Sequence, residues 1–222
     1  MKKIITLFAV LFTCGALLSA GSWTHYTGFG WNLPMELSVN ADSYKNGEEV
    51  VFENQTGLEL SFLGISENKI AVKAAGDINW TGINHIINNV PFKGLNLNLQ
   101  IGAGYAPVCT ERFTLAVLAM TGFDASKVFS KSSFYDPGFD DLSITEYSQK
   151  YLTWMFGGNI DAIFAVNGNL SVYTSFSAYY LTNGLYNEKA DRESKVYVSE
   201  DDDYTTNGTV KFIPTIGVCW KF

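Results

Sequence analysis

The feature that most restricts this chain is an alternation of side-chain character with period two, sustained over stretches of about ten residues. From Leu95 to Tyr105, Leu95, Leu97, Leu99, Ile101, Ala103 and Tyr105 share one face, while Asn96, Asn98, Gln100, Gly102 and Gly104 share the other. Ile70 to Trp80 repeats the pattern with Lys73 and Asp77 on its polar face, and Leu170 to Tyr180 does so with Tyr173 and Tyr179. A strand keeps two such faces apart, and about ten tilted residues are the length that crosses a bilayer. Weaker runs near 29–40, 57–66, 112–123, 153–166 and 209–222 bring the candidate strands to eight. An even number lets antiparallel strands close into a barrel with both termini on one side.

The connections sort by parity. Glu67-Asn68-Lys69, Pro107 to Glu111 and Asn167-Gly168-Asn169 are short; 41–56, 82–93, 124–150 and 183–208 are long and polar. Asn167-Gly168 reads as a tight hairpin in which both turn positions need positive φ. A soluble sandwich also alternates, but its strands run shorter and its turns need not sort this way. The reading is therefore all-β: an antiparallel up-and-down transmembrane barrel of eight strands, with short periplasmic turns and long extracellular loops.

The chain's start fits export. Lys2 and Lys3 precede an apolar stretch from Ile4 to Leu18, and Ser19-Ala20 offers a small-residue exit; this order marks a signal peptide over 1–20, with the barrel over 21–222. Leu11-Phe12-Thr13-Cys14 loosely resembles a lipoprotein cleavage box, but apolar residues continue past Cys14 to Leu18. Losing 1–20 removes two lysines and no acids, moving the formal charge from −7 to −9, a poor match for nucleic acid or anionic headgroups. Cys109 and Cys219 are too few for a disulfide scaffold and are expected as thiols or an incidental pair.

The last eight residues, Thr215-Ile216-Gly217-Val218-Cys219-Trp220-Lys221-Phe222, give a glycine, an aromatic three later and a terminal aromatic. The segment resembles the C-terminal assembly signal of outer-membrane barrels, with Gly217, Trp220 and Phe222 as its marks. The whole architecture is similar to the small single-domain barrels such as the OmpA transmembrane domain, OmpX and OmpW. That resemblance implies the bacterial outer membrane, with its lipid and the barrel assembly machinery as partners.

The alternation assigns Glu36, Glu59, Lys73, Asp77, Asn96, Asn98, Asp161 and Lys211 to the lumen, with Tyr173 and Tyr179. Buried charges must pair, so Lys73 and Lys211 are expected against Asp77, Glu59 or Asp161 as a structural plug. A narrow conduit competes, and inward Leu63, Leu118, Met120, Ile163 and Ile213 also permit an OmpW-like apolar pocket. Lipid-modifying barrels of the PagL and PagP type need a Ser beside a His. His85 has no Ser within four residues and His25 precedes the first candidate strand, so no catalytic residue is assigned. Glu200 to Asp203 form an acidic loop without the alternation of a calcium loop, and no metal site or cofactor is expected. Aromatics Phe129, Phe134, Tyr135, Phe139 and Tyr147 in the third loop are expected to pack on one another and fold the loop over the barrel mouth; exposed, they would suit contact with an external ligand or surface.

Overall fold

The computed structural model describes residues 23–38, 55–84, 91–130, 134–135, 143–192, 195–204 and 209–222. The expected leader, His85 and Phe139 lie outside the described residues, as does the side chain of Glu36. Among the described residues there are eleven strands: β1 Trp23–Asn32, β2 Met35–Ser38, β3 Thr56–Ser66, β4 Ile70–Asn84, β5 Pro91–Cys109, β6 Phe113–Ser130, β7 Phe134–Tyr135, β8 Ser143–Asn167, β9 Leu170–Arg192, β10 Lys195–Tyr204 and β11 Thr209–Lys221. Eight of them form the wall. The ring runs β1, β3, β4, β5, β6, β8, β9, β11 and returns to β1, every neighbour antiparallel. Closure leaves no bare edge in the wall, which is what lets a sheet sit in hydrocarbon.

The two faces are opposite in character. Phe29, Ile101, Phe164, Val166, Ile216 and Val218 each expose half or more of their surface outward. Alternating with such residues, Ser171, Tyr173, Ser175, Ser177 and Tyr179 are buried inside. A belt of exposed Ile, Val, Phe and Trp running round the wall would be a liability in water and is the surface lipid demands. Aromatic contacts gather toward both ends of this belt. Trp31 meets Trp80 at 6.3 Å between ring centroids and Phe123 meets Trp154 at 4.5 Å, away from the short turns. Phe113 lies 4.8 Å from Phe164 beside a short turn, at the end where Trp220 and Phe222 are exposed. Aromatic rings favour these interfacial depths.

Several boundaries differ from the sequence reading. β1 begins at Trp23, not near 29, and pairs from there with Ser66; Tyr26 faces inward and Thr27 outward, which hides the alternation. The run to residue 40 is not one strand, because Leu33-Pro34 interrupts it. Proline has no N–H to give the ladder, and Leu33 N instead donates to Pro214 O at 3.1 Å. β6, β8 and β9 run on to Ser130, from Ser143 and to Arg192, and β10 forms a hairpin with β9, through segments expected as loops. Lys127 and Lys150, paired past the apolar belt, are both exposed: above the lipid no apolar face is required, so pairing persists without alternation.

At the turn expected from Asn167-Gly168, only Gly168 takes a positive φ, at 49°. The tip is Gly168-Asn169, so left-handed geometry falls on the one residue without a Cβ, and the expectation of two such positions is corrected. Lys69 carries the other left-handed position among the described residues, at 62°.

Candidate functional site in the barrel lumen

The inward faces of eight strands meet in a filled interior, and its polar groups cross it. Lys73 on β4 lies 2.7 Å from Asp161 on β8, three strands round the ring, both almost wholly buried. Lys73 Nζ also donates to Ser175 at 3.2 Å. In the orientation that satisfies both ends of its amide, Asn159 donates to Asp161 at 3.0 and 3.2 Å and accepts from Ser175 and Ser177 at 2.6 and 2.9 Å. A buried ion pair is tolerable only when its remaining lone pairs and protons are met in this way.

A second pair crosses nearer the long-loop end. Lys211 on β11 holds Asp124 on β6, again three strands apart. Asn96 supports it, donating to Asp124 at 2.5 Å and accepting from Lys211 at 3.2 Å. Ser126 donates to Asp124 at 2.9 Å. This partner differs from those expected: Lys211 bonds Asp124, which the alternation leaves in the third loop because the outward apolar run stops at Phe123.

Glu59 and Asp77 hold neutral donors. Tyr173 Oη donates to Glu59 at 3.0 Å and Thr215 Oγ1 at 3.2 Å. Asn32 Nδ2 donates to Asp77 at 3.1 Å, and Gln100 Nε2 to its other oxygen. Gln100 in turn accepts from Tyr179 Oη at 2.5 Å. Of the residues singled out from the alternation, Glu59, Lys73, Asp77, Asp161 and Lys211 are thus all inside and bonded.

Toward the short turns the interior becomes apolar. Leu63, Ile65, Leu118, Ile163 and Cys219 pack with Tyr26, whose hydroxyl lies 3.3 Å from Thr114 across the lumen. Between this layer and the Lys73–Asp161 pair lies a cavity of about 10 Å³, lined by Tyr173 and Cys219 among others, room for about one water. Met120 and Ile213 belong to the same buried cluster.

The three residues of the last strand singled out in the sequence separate by face. Trp220 and Phe222 are exposed on the outer wall. Gly217 faces inward, where a Cβ would lie 2.6 Å from the Tyr173 ring and 2.6 Å from the Gly30 backbone. The ring that donates to Glu59 therefore lies over Gly217. His25 stacks on Phe62 at 5.4 Å and tilts against Phe222 at 5.9 Å; its Nδ1 has no hydrogen-bond partner.

Cys109 and Cys219 are free thiols, the first exposed and the second buried. In the detergent-held barrel an alkylating label is expected at Cys109, with Cys219 reacting after denaturation. Mass spectrometry of the labelled peptides checks this, and native labelling of Cys219 would show that the apolar layer opens.

No protein-family model matches the chain, and no curated protein matches its sequence. Its fold is similar to that of solved bacterial outer-membrane barrels. A major outer membrane protein from Thermus thermophilus superposes with a TM-score of 0.60 at 10% identity, over 90% of this chain and 99% of that one. The outer membrane protein OprG from Pseudomonas aeruginosa does so at 0.52 and 13% identity, over 91% and 96%.

Proposed function

We propose that this outer-membrane barrel is a closed, non-enzymatic wall protein whose working surface lies at its long-loop end. The observation that supports this is the cross-bracing of the lumen. Lys73–Asp161 and Lys211–Asp124 span it at two levels, and Tyr173–Glu59 and Tyr179–Gln100 span it in other directions. An eight-stranded barrel has only enough interior for side chains to fill, and here they fill it with mutually bonded groups. A conduit would need a continuous gap, and the packed apolar layer around Leu63, Leu118 and Ile163 stands across any such path.

At the opposite end, β6, β8 and β9 extend well past the ten or so residues that cross lipid. They present paired strand as a raised platform for an external ligand or surface. Lipid and the assembly machinery would be its partners on the outer wall and during insertion.

Planar-bilayer recording of the purified protein tests the reading. No discrete conductance steps are expected from wild type. Stable unit conductance from the intact barrel would sink the closed-lumen reading and favour a narrow conduit.

A further inference from the structure

We propose that three lysines on the outer wall at the long-loop end, Lys93, Lys127 and Lys150, form a binding site for the phosphate groups of a phosphorylated glycolipid in the outer leaflet. They stand on β5, β6 and β8, which are neighbours in the ring, and all three are exposed. Each continues the outward row of its strand. Lys93 shares a face with Leu95, Lys127 with Phe123, and Lys150 with Leu152 and Trp154, all exposed members of the apolar belt. The antiparallel register makes Lys127 and Lys150 direct partners. It also pairs Lys127 with Leu95 and Phe129 with Lys93, so Lys93 is the diagonal neighbour of Lys127.

Like charges set directly across a strand pair repel, and the described wall offers nothing to offset them. Of the carboxylates whose side chains the structure describes, Glu59, Asp77, Asp124 and Asp161 are buried in the lumen. Glu67 and Glu111 stand at the short turns, the far end of the wall. Among the described side chains, the partner that meets this row is aromatic: Lys127 Nζ lies 5.4 Å from the centroid of the Phe129 ring. A cation–π contact holds the ammonium group on the wall without neutralising it. The short turns are mixed instead, with Lys69 and Arg112 beside Glu67 and Glu111 in sequence. The negative charge expected of the exported chain makes anionic headgroups a poor match for the protein as a whole. Attraction at a wet surface is screened beyond about 10 Å, however, so a local row of ammonium groups acts locally.

Depth selects the ligand. Toward the membrane from the row lie Leu95, Leu152 and the Phe123–Trp154 pair, whose rings are 4.5 Å apart, at the depth where hydrocarbon gives way to headgroups. An acyl chain lying along this wall brings its headgroup level with the lysines. Lysine binds phosphate as a point charge, with three rotatable donors on a flexible stem. Two ammonium groups on facing strands can therefore meet one phosphate, and the third a second. A glycolipid with phosphorylated sugars supplies apolar chains for the belt and anions for the row, whereas free phosphate supplies the anion alone. The site rests on the long-loop end being the working surface, as proposed above, but not on the closed lumen.

The test uses the full chain in detergent, with native mass spectrometry counting the lipid retained on the folded barrel. The probes are bisphosphorylated lipid A and the same lipid with both phosphates removed. The phosphorylated form is expected to bind more tightly by on the order of a hundredfold, at roughly fivefold per lysine. Lys93→Gln, Lys127→Gln and Lys150→Gln together should erase that preference while heat-modifiable gel mobility stays as in wild type. Should the triple variant fail to fold, Lys150→Gln alone should lower the preference about fivefold. Lys69→Gln with Lys221→Gln, at the short-turn end, should leave it intact. Equal retention of the two lipids by wild type, a preference that survives the triple variant, or displacement of the lipid by inorganic phosphate at matched ionic strength would overturn the proposal. Unit conductance with the lipid preference intact would instead sink the closed lumen and leave this site standing.

Discussion

Lys73→Met is expected to destabilise the barrel by about 3–5 kcal/mol, seen as a fall in the denaturant midpoint of the detergent-held protein. Methionine matches the lysine stem in length and leaves the apolar contacts largely in place, so the loss isolates the ammonium group. Without it Asp161 stays buried, with the Asn159 amide as its remaining described donor, and an unpaired interior carboxylate is the costly state. The double replacement Lys73→Met with Asp161→Leu should recover most of that loss, because removing both charges also removes the cost of desolvating them. Unfolding of Lys73→Met at the wild-type midpoint would show that the pair does not brace the wall. The same logic applies to Lys211→Met, whose orphan would be Asp124.

Why one of these pairs is legible in the sequence and the other is not follows from what alternation reports. It marks residues only where lipid demands an apolar neighbour on each side, so Lys73 and Asp161, set among Val72, Ala74, Ile160 and Ala162, are readable as inward. Asp124 follows Phe123, after which the outward face of β6 carries Ala125 and Lys127, and nothing in the sequence separates it from the polar extension that follows. Pairing partners are harder still. Lys73 and Asp161 are 88 residues apart and Lys211 and Asp124 are 87 apart; their meeting depends on the ring order and stagger of the whole barrel. Local register is within reach: the turn at Glu67-Asn68-Lys69 fixes Glu59 opposite Asp77 and Gly57 opposite Asn79. The meeting of Asn32 on β1 with Asp77 on β4, across β3, needs the structure. The break at Leu33-Pro34 is signalled by the proline, whereas the matching acceptor at Pro214 O is not.

Gly217→Ala is the second large effect expected, and it separates two reasons for a glycine in the final strand. If the residue serves only as a mark for the assembly machinery, the variant should refold from denaturant into detergent as wild type does and fail only in cells. The structure argues for a mechanical role. A methyl group at 217 would press on the Gly30 backbone and on the Tyr173 ring, each 2.6 Å from it. Backbone yields little, so the ring must move and release its hydrogen bond to Glu59. Overpacking of this kind costs about 1–3 kcal/mol, and a lost bond to a buried charged group adds about 1.5–3 kcal/mol. A loss of roughly 3–5 kcal/mol is therefore expected in purified components, with no cellular machinery present. Phe222→Ala makes the contrast. Its ring is exposed on the outer wall and meets His25 in a tilted contact, so its loss should cost far less in detergent while lowering the amount of heat-modifiable barrel recovered from outer membranes. Equal stability of Gly217→Ala and wild type in vitro would return Gly217 to the role of a pure signal.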